Sequence, residues 1–420
     1  MIEKQQPVES PRIHVSFLGR EYTGRQGAET FQVTSTLTNI FDGWSLELPI
    51  GPQGQLEDLP PLNLQRWIPV TLSLSDPEVD SGKPVPMLQG VITRVEHECS
   101  DQASKLILSG YDLGKLLDSA ARPWRRFSGV TFDKLIDTLL DPSWLTKNRT
   151  DGWGIQGITG LNRDRFRKRG TRISQGRTAA ELEINRRYFT FMPPIQTEVG
   201  ETVYDLISRA ARLTGLTASR GSFVSVSVDG FVQVFNPDDY VNDPALYVFE
   251  DHLDSRNLRV KRSRLVLDGE DLYTEYDCYG SVIVPPGVFK PDKITNPNAG
   301  RFFAQSSNSI LGPSENKIFR RLTFSDPEQY QRGFAQARAD WRRRQSLYKE
   351  TSMVMSIQGL SMPGPDGVWR PIVEGNIAEV NSSRLRIQGR YMIEQVVKRQ
   401  NASEGTVSEV TFRPLGLLGV

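Results

Sequence analysis

Gly90-Val91-Ile92-Thr93-Arg94-Val95 runs through a short polar turn into Lys105-Leu106-Ile107-Leu108. Far along the chain, Met392-Ile393-Glu394-Gln395-Val396 runs through Asn401-Ala402-Ser403-Glu404-Gly405 into Glu409-Val410-Thr411-Phe412. Each stretch is an Ile-x-x-Val strand, a polar loop and a second apolar strand, which together read as one hairpin. Two similar β units flanking unrelated sequence point to a chain that presents a related surface twice.

Working outward from the first hairpin, the N-terminal stretch is rich in strands. Arg12 to Leu18 and Phe31 to Leu37 alternate polar and apolar residues, and Trp44 to Leu48 follows an Asp42-Gly43 turn. A Pro-rich loop from Pro49 to Pro61 leads to the alternating run Ile68 to Leu74. Short strands at this spacing predict a small antiparallel barrel or sandwich. Asp-Gly pairs at Asp42, Asp151, Asp229, Asp268 and Asp366 punctuate the whole chain and support a mainly antiparallel β protein.

Helices are inserted among the strands. Phe132, Leu135, Ile136, Leu139 and Leu140 share one face, after Thr131 as N-cap and before Pro142. A second helix starts near Thr202, buries Val203, Leu206, Ile207, Ala210 and Leu213, and ends at Gly215; an Asp229-Gly230 hairpin follows. A third opens at Asp326-Pro327-Glu328-Gln329 and carries Tyr330, Phe334, Ala337, Trp341 and Tyr348 as its apolar stripe. Strands are expected over Leu258–Leu267, Leu272–Val282 and Ile318–Phe324. The Pro/Asn/Gly/Ser-rich segment Pro285–Asn316 reads as a long loop, either functional or poorly ordered.

Composition narrows the function classes. A chain of 420 residues with 38% hydrophobic and 24% charged residues can form two to four ordinary globular domains. Lys+Arg total 51 against Asp+Glu 50, without the basic excess of a dedicated nucleic-acid binder. No apolar run of about 18 residues marks a membrane span, and the start Met1-Ile2-Glu3-Lys4-Gln5-Gln6-Pro7 lacks the form of a signal peptide. Two cysteines, Cys99 and Cys278, cannot build a disulfide framework and read as small buried hydrophobes of a reducing cytoplasm.

The search for chemistry finds no catalytic, cofactor-binding or metal site. His14, His97 and His252 are far apart and have no metal-ligand neighbour at zinc spacing. Glu181 and Glu183 could be imagined as a hydrolase pair, but Arg177, Arg186 and Arg187 beside them favour surface ion pairing. Two basic clusters remain. Arg163, Arg165, Arg167, Lys168, Arg169 and Arg172 lie in a Gly-rich loop. That loop is a solvated one, a dock for an acidic partner, or a wall facing enclosed nucleic acid without sequence specificity. Arg342-Arg343-Arg344 falls late in the third helix, where cations favour the macrodipole.

Several segments resemble Mu-like phage tail hub proteins. They are Gly19-Arg20-Glu21-Tyr22-Thr23-Gly24 with Val33, Leu37 and Phe41-Asp42-Gly43-Trp44-Ser45-Leu46, and Leu108-Ser109-Gly110-Tyr111-Asp112-Leu113-Gly114-Lys115-Leu116-Leu117-Asp118. Glu201-Thr202-Val203-Tyr204-Asp205-Leu206-Ile207 with the Asp229-Gly230 hairpin looks like the middle module, and Trp369-Arg370-Pro371, Leu385 and Ile393-Glu394-Gln395-Val396 match the closing strands. The elements come in the family's order and touch most of the chain outside residues 145–195 and 283–316. The resemblance implies a mainly β fold with inserted α+β modules, in which two similar antiparallel β-barrels arise by internal duplication. The expected divisions are a first barrel over 1–118 and a helical and loop module with the basic loop over 119–200. A small α+β module over 201–250 follows, then a second barrel over 251–420 that carries loop 285–316 and helix 327–348. Ile92, Val95, Ile393 and Val396 are expected in the two barrel cores.

The same resemblance implies a structural, non-enzymatic baseplate hub of a contractile tail or phage-derived particle. Such hubs are homotrimers whose six near-equivalent barrels surround a channel and join a six-fold tail tube to a three-fold central spike. Expected partners are therefore a second and third copy, the spike protein, the tube or tube-initiator protein, other baseplate wedge proteins and, as a further candidate, the tape measure protein. Nucleic acid enters only as non-specific passage through the channel. No cofactor is implied, and the expected location is the virion tail baseplate after assembly in the host bacterial cytoplasm. Unlike fused relatives such as VgrG, the sequence reaches Val420 just after the second barrel, so the spike is expected as a separate chain. Two other readings are a tail-associated peptidoglycan hydrolase using Glu181 and Glu183, and a host-surface carbohydrate binder using Trp124, Trp144 and Trp153.

Overall fold

Twelve strands carry the architecture of the computed structural model, six in each half of the chain. The structure describes residues 11–17, 20–21, 30–50, 67–99, 104–119, 121, 125–139, 157–158, 194–213, 223–226, 231–235, 243–252, 259–281, 301–307, 318–326, 332–401 and 405–415. The first half contributes β1 (Arg12–Phe17), β2 (Thr30–Thr36), β3 (Gly43–Ile50), β4 (Ile68–Ser75), β5 (Val85–Cys99) and β6 (Ser104–Asp112). The second contributes β7 (Tyr247–Asp251), β8 (Val260–Leu267), β9 (Thr351–Gln358), β10 (Ile377–Ser382), β11 (Ile387–Asn401) and β12 (Gly405–Pro414).

The two sets are wired alike. The first is ordered β2-β3-β6-β5-β4-β1 and the second β8-β9-β12-β11-β10-β7, the same permutation of chain order. Neighbours are antiparallel throughout except β7, which lies parallel to β10 where β1 lies antiparallel to β4. Two antiparallel β units of one topology, with α+β modules inserted, make the chain mainly β, as its alternating strands predict.

Period-two alternation gives each unit a buried face. In β4, Ile68, Val70, Leu72 and Leu74 are buried and the residues between them are not. They join Ile13, Val15 and Phe17 of β1 with Phe31, Val33, Trp44, Leu46, Ile92 and Leu108 in one core. The second core holds Tyr247, Phe249, Met353, Met355, Val380, Ile393, Val396 and Phe412, with Phe249 edge-on to Phe412 at 4.9 Å. In both cores the first and last strands of the path contact the same apolar interior. In the second unit, Ser263 Oγ also donates to Asp251 Oδ2 at 2.6 Å, linking β8 to β7.

The repeated Ile-x-x-Val has a structural cause. Residues three apart in a regular strand point to opposite faces, yet Ile92 and Val95 both pack on the first core and Ile393 and Val396 on the second. A β-bulge reconciles these facts. Ile92 opposes Gly110, Arg94 opposes Ser109 and Val95 opposes Leu108, which leaves Thr93 as the extra residue. Ile393 opposes Phe412, Gln395 opposes Thr411 and Val396 opposes Val410, which leaves Glu394 as the extra residue. The bulge falls at the same step of the same hairpin in both barrels.

Equivalent positions exchange bulk. Trp44 on β3 faces Gly110 on β6, whereas Met353 on β9 faces Phe412 on β12. A Cβ on Gly110 would overlap the Val91 carbonyl oxygen and lie 3.0 Å from the Trp44 ring. The large side chain therefore comes from β3 in one barrel and from β12 in the other, and each core is filled.

Two modules are inserted. A 3-10 turn, Leu113–Asp118, leaves β6 with Asp112 accepting from the Gly114 N–H. It packs with α1 (Phe132–Leu139), α2 (Val203–Leu213) and the hairpin strands Phe223–Val226 and Phe231–Phe235 around Leu117, Leu135, Ile136, Leu206, Ile207 and Val232. Thr202 and Asp205 cap α2 reciprocally, each side chain accepting from the other's backbone N–H at 3.0 and 3.3 Å. In the other module, α3 (Arg332–Glu350) lies on a three-stranded sheet of Glu275–Ser281, Arg301–Ser307 and Arg321–Asp326, with Cys278 and Ala339 buried between.

This second module corrects the expectation of an unbroken loop over 285–316. Arg301–Ser307 inside it is a strand, held antiparallel to Glu275–Ser281. Pairing with a distant strand imposes this structure on a segment whose Pro, Asn and Gly content gives no local signal. The helix expected over 327–348 is described from Arg332 to Glu350; residues 327–331 and their cap lie outside the described residues.

Candidate functional site

The place where the barrels join is the most distinctive polar site among the described residues. β11 is 15 residues long and changes partner midway. Its first part pairs with β10 as far as Met392 opposite Ile377, and its second part pairs with β2 from Gln395 opposite Thr36 to Gln400 opposite Phe31. The switch falls at the bulged Glu394, whose carbonyl accepts from the Leu37 N–H at 2.8 Å. Gln395 Nε2 donates to Thr36 Oγ1 at 3.1 Å across the joint. Leu37 packs with Ile377 and Met392 from the other barrel. Further contacts fasten the two halves: Leu360 enters the first core, Ser361 Oγ donates to Asp76 Oδ2 at 2.6 Å, and Arg259 pairs with Glu78 at 2.5 Å.

Four charged groups interact at this joint. Asp42, in the turn between β2 and β3, accepts from the Thr36 N–H at 2.8 Å. Its carbonyl accepts from the Asp112 N–H at 2.9 Å. Burial pushes the Asp42 carboxyl well above its ordinary range, and the charges of Glu374 and Asp112 push it further. Burial likewise lifts the Asp112 carboxyl to about 7, against the pull of the backbone N–H groups that donate to it. Lys398 on β11 is 5% exposed. Burial pulls its ammonium down to about 8, opposed by the negative charges of Glu374 and Asp42.

Perturbed carboxylates often mark active sites, but these carboxylates hold turns. Asp42 and Asp112 accept backbone N–H groups side by side at one end of the β3–β6 ladder, where Gly43 opposes Tyr111, and Lys398 balances Glu374 and Asp42 in a buried joint. Among the described residues no group of three His, Cys, Asp or Glu is placed to hold a metal ion. A cavity of about 40 Å³ lined by Asp271, Tyr273, Arg342 and Lys349 beside α3 has room for a few waters, not for a substrate.

Of the residues singled out in the sequence, Ile92, Ile393 and Val396 are buried and Val95 packs against the first core. Arg163, Arg165, Arg167, Lys168, Arg169 and Arg172 lie outside the described residues, as do Glu181, Glu183, Trp124, Trp144 and Trp153. His14 bonds Glu21 at 2.9 Å on the sheet edge, remote in the topology from His97 on β5 and His252 after β7. Arg342, Arg343 and Arg344 sit about two turns before the end of α3 at Glu350. The helix dipole is felt within the last turn, so it does not explain them. The sequence does not announce the charge cluster at the joint: Asp42-Gly43 reads as a turn, and Asp112 lies where a strand runs into a short helix. Lys398, beside Val396 and Val397, was the one signal of a cation on an inward face.

The fold is that of phage tail proteins. A tail protein from Neisseria meningitidis MC58 superposes with a TM-score of 0.68 at 13% identity, covering 98% of both chains. A 43 kDa tail protein of prophage MuSo2 from Shewanella oneidensis gives 0.67 at 16% identity over 98% of this chain and all of that one. A chain of the Francisella PdpA–VgrG complex gives 0.50 at 10% identity, with all of this chain matching 60% of that one. No family model and no curated protein matches the sequence.

Proposed function

We propose that the chain is a structural component of a contractile phage tail or phage-derived particle: the homotrimeric hub of its baseplate. The observation that carries this reading is the duplication, two barrels with one strand order and one bulge position. Three copies supply six near-equivalent barrels, enough to face a six-fold tube on one side, while exact symmetry stays three-fold for a spike on the other. A ring of this kind needs complementary surfaces and no reaction chemistry. The tail-protein folds of Neisseria and Shewanella support the location in the virion tail.

Light scattering on the full chain, alone and co-expressed with the neighbouring spike protein, tests the proposal. The expected mass is three times 47.3 kDa, with the spike co-purifying. A chain that stays monomeric and ignores the spike overturns it.

A further inference from the structure

We propose that copies of this chain join head to tail by adding the edge of β8 in one copy to the edge of β5 in the next, repeating between chains the joint already present within the chain. The inference rests on the ring reading above and gives it an atomic address. Inside the chain, the far half of β11 is covered by β2. Its counterpart, the far half of β5 from Arg94 to Cys99, pairs with β6 on one side and with no strand on the other among the described residues. The counterpart of β2 is β8, which pairs with β9 on one side. Beyond the Ser263 bond to Asp251, no ladder covers its other side among the described residues. The duplication thus leaves one donor edge and one acceptor edge over, and they are the two halves of a joint whose geometry the molecule already displays.

The register can be transferred residue by residue. The bulges align Ile92 with Ile393, so Arg94 to Glu98 correspond to Gln395 to Arg399. Val33 opposes Trp44 and Leu265 opposes Met353 at equivalent core positions, so Gln32 to Thr36 correspond to Arg264 to Asp268. Within the chain, Gln395 opposes Thr36, Val396 opposes Ser35 and Arg399 opposes Gln32. Between chains, Arg94 therefore opposes Asp268, Val95 opposes Leu267 and Glu98 opposes Arg264.

That register is chemically complementary although only the pairing pattern determined it. Directly opposed residues of an antiparallel pair share a face. Two opposite-charge pairs, Arg94 with Asp268 and Glu98 with Arg264, fall on one face of the joint. On the other face Val95 meets Leu267, a large apolar side chain 67% exposed in the single chain. Neutral Gln395 and Thr36 occupy the position of the first charge pair in the internal joint, so charge distinguishes the joint between chains from the one within. An exposed edge with such a row invites strand addition. Because donor and acceptor edges differ, the contact is heterologous and propagates around a ring until it closes.

Charge exchange in the full-length chain tests this. Glu98→Arg should weaken self-association at least tenfold in a dilution series followed by light scattering, and adding Arg264→Glu should restore it. In a chain lacking its native cysteines, Val95→Cys with Leu267→Cys should give a covalent trimer on mild oxidation that reductant dissolves. Wild-type association in the Glu98→Arg chain, or failure of Arg264→Glu to rescue it, would place the joint elsewhere while leaving the trimer standing. A wild-type chain that never associates would remove the ring reading itself.

Discussion

Gly110 and Phe412 occupy equivalent places in the two barrels and predict different responses to substitution. A methyl group at Gly110 meets the Val91 carbonyl oxygen, and backbone cannot step aside cheaply. Gly110→Ala should abolish a cooperative thermal transition, a result checked by circular dichroism. Phe412→Ala removes a fully buried ring from the second core and should cost about 3–5 kcal/mol in denaturant unfolding. Asp112 gives a pH signature. Burial raises its carboxyl to about 7, so the folded chain holds this proton more tightly than the unfolded one. Its contribution to stability is therefore full below about pH 3.8 and is lost as pH rises to about 7. Lys398, lowered to about 8, is protonated in both states over most of that window and adds little slope there. Asp112→Asn keeps an oxygen for the Gly114 N–H and carries no charge. The variant should melt above the wild type at pH 7.5, and the gap should close towards pH 5; an unchanging gap would show that Asp112 is not buried in its charged form.

At the scale of elements, the bulge makes the sharper prediction. Deleting one residue from a central strand normally turns its apolar side chains to solvent. Deleting Thr93 should not, because Ile92, Arg94 and Val95 would then alternate in, out, in against Gly110, Ser109 and Leu108. The deletion variant should keep a cooperative melt; loss of folding would show that the bend itself is required. Much of this level was legible in the sequence. The alternating strands, the hairpin repeat and the three inserted helices follow from local periodicity, and Thr202 with Asp205 announces the start of α2. The odd spacing of Ile and Val is the bulge's trace in the sequence, but read as a plain strand it does not reveal the bulge or say which residue is extra. What the sequence withheld is set by distant partners: the strand Arg301–Ser307 within a loop-like segment, and the change of partner in β11. Of the joint's residues only Lys398, beside Val396 and Val397, signals its place in the sequence, since carboxylates in turns look solvated until a second barrel covers them.

For the whole molecule, duplication is the organising fact: one six-stranded plan used twice, with one internal joint and, among the described residues, no strand on the matching edges of a second. The basic loop Arg163–Arg172 belongs at this scale, as a proposed contact with the channel contents or a neighbouring tail protein. Replacing Arg165, Arg167 and Arg169 with Ser should leave the oligomer's mass unchanged while lowering particle assembly or DNA passage; normal infectivity of the mutant particle would remove that role. In the proposed hub, identical chains close a three-fold ring of six similar barrels. Single-particle electron microscopy of the purified chain, viewed down the ring axis, tests it most directly. Six nearly alike lobes obeying exact three-fold symmetry around an open channel are expected. A monomer, or a ring with any other number of lobes, would contradict it.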